Sequence, residues 1–257
     1  MTFVIAEAGC NHNGDIGQAF LLCNAAKDAG ADAVKFQHFN SQRLWGDDRI
    51  AHLELDDAEM ANVAWHCQAI GLEFMCTPFG VPEVEFLAPL VKRMKVASGC
   101  LTRFDLLAAV RATGLPAILS TGMADMHRIG AAVDALAPST LLHCTSAYPC
   151  PFSEVNLAAM DALRARWGAS AAVGYSDHTP GIVIALAAVA RGAAVLEKHL
   201  TLDRGQEGPD HKASIEPKEF RIMVEAIRTI EQAIGRPEKR LQASEAKTAE
   251  AWYGTGR

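Results

Sequence analysis

Polar residues recur at the ends of short apolar runs, and their types define the chemistry the chain could carry. In order they are Glu7, Lys35 with Gln37, Thr77, Lys95 with Ser98, Ser120 with Thr121, Thr145 with Ser146, Ser176 with Asp177 and His178, and Lys198 with His199. Two lysines among several hydroxyls and backbone donors could cradle a phosphate and a carboxylate. Lys35 and Lys95 interrupt apolar runs, Val34-Lys35-Phe36 and Met94-Lys95-Val96. An unpaired ammonium is costly in such a setting, so each is expected to have a buried anionic partner rather than to be a solvated side chain. His178 and His199 fall at the ends of consecutive predicted strands and could share one divalent metal, with water and substrate oxygens completing the coordination. Taken singly, each imidazole is as readily a hydrogen-bonded core or rim residue. Asp177, Glu197 and Asp210 are close enough in sequence to orient these rings. Glu7 lies in Ile5-Ala6-Glu7-Ala8-Gly9, an apolar setting that should raise its pKa toward acid or base work. The alternative is a carboxylate paired with a neighbouring lysine for structure. His143 and the cysteines are read as packing residues.

Something must bring these groups together. Short apolar runs alternate with amphipathic stretches from end to end, the pattern of repeated βα units around a parallel sheet. The strand candidates are Phe3 to Ala8, Ala33 to Phe39, Glu73 to Thr77, Met94 to Ser98, Ala117 to Thr121, Thr140 to Thr145, Ala171 to Ser176 and Ala194 to Leu200. Glycines 30, 71, 114 and 192 mark helix ends, and a last helix runs from about Pro217 to Ile234, closed by Gly235. Eight such units predict an α/β fold, a (β/α)8 TIM barrel over residues 1–235, whose strand ends would converge on the C-terminal mouth. An open doubly wound sheet fits less well, because no GxGxxG follows the first strand and the polar residues are spread over every strand end. Residues 236–257 are polar without an apolar stripe and read as a linker or frayed helix.

Composition narrows the function classes. The 257 residues are 50% hydrophobic and 21% charged, an ordinary globular balance. A net charge of -6 without a basic block argues against nucleic acid as a partner. Seven cysteines with no CxxC pair fit a reducing cytosol. The first twenty residues lack the apolar core of an export signal, and the longest apolar run, Ile182 to Ala190, is about half of what a bilayer requires. A cytoplasmic protein with no membrane partner is expected.

With these residues in place, the chain resembles the catalytic domain of the sialic acid synthases, the N-acetylneuraminate synthase family with its pseudaminic and legionaminic acid relatives. The resemblance runs to about Gly235 through IAEAGCNHNG (5–14), GADAVKFQHF (30–39), MCTPFG (75–80), MKVASG (94–99), ILSTGM (118–123), LLHCTSAYPCP (141–151), GYSDHTPG (174–181) and EKHLTLDRGQEGPDHKAS (197–214). It implies a TIM barrel that condenses phosphoenolpyruvate with the open-chain aldehyde of a sugar, assisted by a divalent metal, manganese or magnesium. By the same resemblance His178 and His199 are the metal ligands, and Lys35, Lys95, Ser98, Ser120, Ser176 and Thr77 contact phosphoenolpyruvate. Glu7, Tyr148, Asp210 and Gln37 face the sugar or the attacking water.

Two departures concern the acceptor. The family usually carries a glutamate in a Ser-Gly-Glu tripeptide, where this chain has Ser98-Gly99-Cys100, and the stretch Leu44 to Asp57 is short for the family. The antifreeze-like domain that follows the barrel in relatives would begin where this sequence stops, and a homo-oligomer is left open. The departures favour phosphoenolpyruvate chemistry on a different aldehyde. Rival readings are a Schiff-base aldolase using Lys35, Lys95 or Lys198, and a non-catalytic barrel that binds a sugar phosphate.

Overall fold

A computed structural model of the chain describes residues 1–254. Eight parallel strands form one sheet in the order β3-β2-β1-β8-β7-β6-β5-β4. The strands are β1 Phe3–Gly9, β2 Ala33–His38, β3 Glu73–Pro78, β4 Met94–Val96, β5 Ala117–Ser120, β6 Thr140–His143, β7 Ala172–Asp177 and β8 Val195–His199. Between and after them run α1 Ile16–Asp28, α2 Ser41–Trp45, α3 Asp57–Ala69, α4 Val81–Leu87, α5 Phe104–Ala112, α6 Met126–Leu136, α7 Ala159–Trp167, α8 Val183–Ala190, α9 Pro217–Ile234 and α10 Ala246–Tyr253. This is the expected (β/α)8 barrel. At its seam β4 lies beside β3 without a ladder among the described residues. Arg93 Nε bonds Glu73 Oε1 across that seam at 2.7 Å, and its guanidinium lies 4.4 Å from the centre of the Phe3 ring, plugging the lower end.

Local sequence explains the helix boundaries. Asp15 and Asp125 accept backbone N–H bonds as N-caps of α1 and α6, and Asp56 with Glu59 forms a capping box for α3. The four glycines expected to close helices, 30, 71, 114 and 192, all have positive φ. The stretch 236–254 has no buried residue, and its helix α10 exposes Trp252 and Tyr253. Residues 255–257 of the expected tail lie outside the described residues. No described helix is long and apolar enough to cross a membrane.

Two hydrophobic layers hold the barrel. Outward-facing Val4, Val34, Phe74, Leu119, Leu141, Val173 and Leu196 pack under the helices. Inside, Ile5, Ala33, Met75, Ile118, Leu142 and Val195 form a separate buried plug below the polar residues. Gly174 shares that layer because nothing larger fits: a Cβ there would come within 2.3 Å of the Val195 carbonyl oxygen and 2.7 Å of Leu142.

Side-chain alternation corrects part of the sequence reading. Every second residue of a strand faces outward, so not every polar strand-end residue reaches the mouth. Thr121 Oγ1 donates to the Leu142 carbonyl, and Thr145 Oγ1 to that of Glu154. Asp177 does not orient an imidazole. It pairs instead with Lys198 at 2.8 Å, both side chains fully buried on the helix side of the sheet, while its other oxygen accepts from the Thr179 N–H and hydroxyl. Lys198 also donates to the Thr179 carbonyl and is therefore no candidate for an imine at the mouth.

Lys198→Ala strands the Asp177 carboxylate in the core, and a loss of about 3–5 kcal/mol is expected in urea denaturation. A second outcome concerns acid. His12 accepts the Gly14 N–H at Nδ1 and is wholly buried, and burial holds its pKa down to about 4. The unfolded ring takes up its proton near pH 6.5, so the unfolded state binds more protons and stability is complete only above that pH. As pH falls from about 6.5 toward 4 this ring alone should cost up to about 3 kcal/mol. The urea midpoint of His12→Gln, which cannot titrate, should therefore vary less over that window than the parent's. An unchanged slope would show that His12 contributes nothing to it.

Candidate active site

The inward residues of the strands supply the floor and walls of one cavity of about 290 Å³, and the loops after the strands supply its lip. All twelve side chains given a role by the family resemblance line it: Glu7, Lys35, Gln37, Thr77, Lys95, Ser98, Ser120, Tyr148, Ser176, His178, His199 and Asp210. Register explains the grouping. Glu7 is the Cα partner of Lys35 on one side and of His199 on the other, Gln37 partners Thr77, and Ser176 partners Glu197. Gly9 follows a register shift at positive φ, and a Cβ there would stand 3.1 Å from Asp210 Oδ2 and 3.4 Å from Glu7 Oε1. A side chain at this position would crowd both carboxylates.

The floor is a cluster of alternating charge. Lys35 Nζ lies 2.6 Å from Glu7 Oε2 and donates to Thr77 Oγ1 at 3.0 Å. Gln37 Nε2 donates to the other Glu7 oxygen at 3.1 Å. Glu197 stands between the lysines, 3.7 Å from Lys35 and 3.8 Å from Lys95, and accepts from Ser176 Oγ at 3.0 Å. Lys95 Nζ donates to Ser120 Oγ at 2.7 Å and to the Val96 carbonyl at 3.3 Å, with no carboxylate at hydrogen-bonding distance.

Burial and charge split the titration of these groups. Burial raises the Glu7 pKa against the pull of Lys35. Burial also works against a charged Lys35, but Glu197 and Glu7 outweigh it and raise its pKa. For Lys95 burial prevails and lowers the pKa, opposed by Glu197 and assisted by the like charge of Lys35. Glu197, although buried, is held down to about 2 by Lys35 and Lys95. The floor thus carries one firmly ionised carboxylate, one carboxyl that takes a proton more readily, and one lysine, Lys95, with no carboxylate bound to it.

At the lip the imidazoles of His178 and His199 lie 5.6 Å apart, flanked by the Tyr148 ring at 4.2 and 5.7 Å. His178 Nδ1 is 2.7 Å from the Thr145 carbonyl, which can only accept, so Nδ1 carries the hydrogen and Nε2 keeps its lone pair. Burial and the neighbouring His199 lower the His178 pKa to about 4, so the ring is neutral and able to ligate. His199 Nδ1 is buried without a hydrogen-bond partner, 3.8 Å from Asp210 Oδ2. A nitrogen–metal bond of about 2.1 Å puts a ring centre roughly 3 Å from the ion, so two rings at this separation could share one divalent cation. No group of three or more His, Cys, Asp or Glu among the described residues completes a protein-only site. Oxygen ligands would have to come from water or substrate.

Sequence reasoning treated Glu197 as an orienting neighbour, and its central place was missed. It stands two residues before His199 and so shares that residue's face of β8, a period-two signal that could have found it. Phe79, Met123, Cys144 and Ser146 also line the cavity. Cys100, at the position where the resemblance expects a glutamate, is 2% exposed and lies off the cavity wall, which Gly99 lines instead.

Comparison with known proteins agrees with this geometry. A model of the NeuB family matches residues 22–239. The N,N'-diacetyllegionaminic acid synthase of Campylobacter jejuni is 41% identical, the match covering 96% of this chain and 81% of that protein. The human N-acetylneuraminate-9-phosphate synthase is 35% identical over 93% of this chain and 73% of its own length. The crystal structure of an N-acetylneuraminic acid synthetase from Leptospira borgpetersenii, in complex with citrate, superposes with a TM-score of 0.91 at 37% identity, covering 98% of this chain and 91% of that one. From both the sequence match and the shared barrel, the chain belongs to the NeuB family.

Proposed function

We propose that this protein condenses phosphoenolpyruvate with the aldehyde of a sugar, forming a carbon–carbon bond and releasing inorganic phosphate to leave a nonulosonic or other 2-keto-3-deoxy acid. The observation that carries this reading is the pairing, in one cavity, of two buried lysines at the floor with two imidazoles at the lip. The names of the three relatives reported above support it, each being a synthase of a legionaminic or N-acetylneuraminic acid or of its 9-phosphate.

The residues divide the work. Lys35 and Lys95, with Thr77, Ser98, Ser120 and Ser176, hold the carboxylate and phosphate of phosphoenolpyruvate and keep its C3 aimed toward the lip. His178 and His199 would hold a manganese or magnesium ion, which when bound would supply a Lewis acid for the aldehyde oxygen. Attack of C3 on the aldehyde carbon leaves positive charge at C2, which the floor carboxylates stabilise. Glu7, with its raised pKa, orients a water and accepts its proton as the oxygen adds to C2. Collapse of that tetrahedral carbon breaks the bond to the phosphate oxygen, and the lysines retain the leaving anion. Asp210, Tyr148 and Gln37 face the sugar. Cys100 replaces the family's usual acidic residue, which favours a different aldehyde. The products named for the relatives include free acids and a 9-phosphate.

A second reading has one specific observation behind it. Lys95 has a lowered pKa and no bound carboxylate, the condition of an imine-forming amine. Borohydride with pyruvate separates the two: covalent trapping at Lys95 favours the imine aldolase, and none is expected here.

Phosphate release from phosphoenolpyruvate is expected only with manganese or magnesium and an aldose present. Lys95→Met should lower kcat/KM for phosphoenolpyruvate on the order of 100-fold. His199→Ala should weaken manganese binding at least about tenfold in calorimetry while circular dichroism stays unchanged. Metal-independent turnover would overturn the assignment of the imidazoles, and gross unfolding of His199→Ala would make that residue structural.

A further inference from the structure

Asp210 hangs on a segment that gives it little support from the N-terminal side. Residues 203–209, which lead into it, belong to no helix or strand, and six of the seven are exposed. The ion-pair neighbour of its carboxylate among the described residues is His199 Nδ1 at 3.8 Å, beyond hydrogen-bonding distance. The backbone at Asp210 therefore sets where the carboxylate stands. That backbone is held from the other side, where His211, Ala213, Ser214 and Ile215 are buried. The Ile215 N–H donates to the His199 carbonyl at 3.0 Å, and the Ile215 carbonyl accepts from the Thr201 N–H at 3.0 Å. Ser214 Oγ donates to the Asp210 carbonyl itself at 2.7 Å.

A hydroxyl has one hydrogen to give, so Ser214 accepts at its lone pairs, and the donor is Asn11 Nδ2 at 2.9 Å. Asn11 lies two residues past the end of β1 and outside the cavity lining, is 2% exposed, and donates its backbone N–H to the Ala8 carbonyl at 2.8 Å. Its amide gives a second hydrogen to the carbonyl of Leu200, next to His199, at 2.8 Å. That carbonyl can only accept, which fixes which way round the amide sits. Asn11 Oδ1 is buried without a hydrogen-bond partner. An acceptor left unsatisfied in the interior costs stability, so what this residue contributes is its pair of donors. One amide thus ties the ends of β1 and β8 to the turn that carries Asp210.

We propose that Asn11, acting through Ser214, is a positioning residue that holds the Asp210 carboxylate in register with Glu7 and His199 for the incoming sugar. This rests on the condensation reading above, in which Asp210 faces the sugar. Lys35 and Lys95 stand on other strands and make no contact with this relay, so the two substrates should respond differently to its loss.

Asn11→Ala and Ser214→Ala each break the relay. Phosphate release from phosphoenolpyruvate is measured with manganese and whichever of a panel of 2-acetamido aldoses, N-acetylmannosamine among them, the parent uses fastest. Each variant should raise KM for the aldose at least about tenfold and leave KM for phosphoenolpyruvate within about twofold. An unchanged aldose KM, or a loss shared equally by both substrates, overturns the proposal. Crystal structures of the parent and of Ser214→Ala give a readout that needs no turnover. In the variant the Asp210 carboxylate should move at least about 1 Å relative to Glu7, with Lys35 and Lys95 in place. A carboxylate that stays within about 0.5 Å overturns the proposal whatever the kinetics show. If circular dichroism finds Asn11→Ala unfolded, Ser214→Ala carries both measurements. A parent that releases no phosphate with any aldose removes the condensation reading, and the crystallographic displacement then decides the positioning role by itself.

Discussion

Glu7, Lys35, Lys95 and Glu197 are four ionisable side chains buried together inside a barrel, and none could be there alone. An isolated charge in such a place costs several kcal/mol even after relaxation, and a pair recovers this only with good geometry and further hydrogen bonds. The arrangement meets that condition by alternation. Lys35 touches Glu7 and faces Glu197, Glu197 faces Lys95, and Thr77, Ser120, Ser176 and Gln37 add hydrogen bonds to the cluster. Removing one member unbalances the others, so the strand register that sets Glu7 opposite Lys35 and Ser176 opposite Glu197 is as much a part of the site as its side chains.

The same chain contains a second buried ion pair that is chemically silent, and the contrast shows what makes the first one a site. Lys198 and Asp177 satisfy each other and the Thr179 backbone and hydroxyl completely, on the closed side of the sheet. In the cavity, Glu197 Oε2 and His199 Nδ1 are buried without hydrogen-bond partners. Buried polar atoms are rarely left so. Their unsatisfied valences face a space that a ligand can enter, and stability is forgone there in exchange for a field already arranged around absent charge.

How much of this could be read from sequence depended on which periodicity a residue obeyed. The eight strands and the span of α9 were legible because apolar runs, Pro217 and Gly235 act locally. The polar strand-end residues were legible as a set, since a parallel barrel gathers such ends at one mouth. Which of them face inward was not read, although the period of two was available. Asp177, Lys198, Thr121 and Thr145 were placed at the mouth with residues one position away, and a shift of one residue reverses the face. Cys100 is a different case. The strand predicted to reach Ser98 ends at Val96, and a 3-10 turn over Ser98–Cys100 rotates the thiol into the core. Nothing local in Ser98-Gly99-Cys100 announces that rotation, because packing of the barrel interior decides it.

Depth along the strands separates what holds the molecule from what it does. The N-terminal halves contribute the inner plug of Ile5, Ala33, Met75, Ile118, Leu142 and Val195, made possible by the missing side chain of Gly174. Two residues further along the same strands, the inward positions become Glu7, Lys35, Thr77, Ser120 and Glu197. Below that boundary a substitution creates a void or a clash and is felt as stability. Above it a substitution alters charge in a cavity whose walls are already fixed by the plug and by the outer apolar layer, and it is felt as chemistry. The polar layer can sit in the barrel interior because it is sealed underneath: the plug keeps bulk water from reaching it from below, and the buried lysines and carboxylates act through a dielectric lower than that of water.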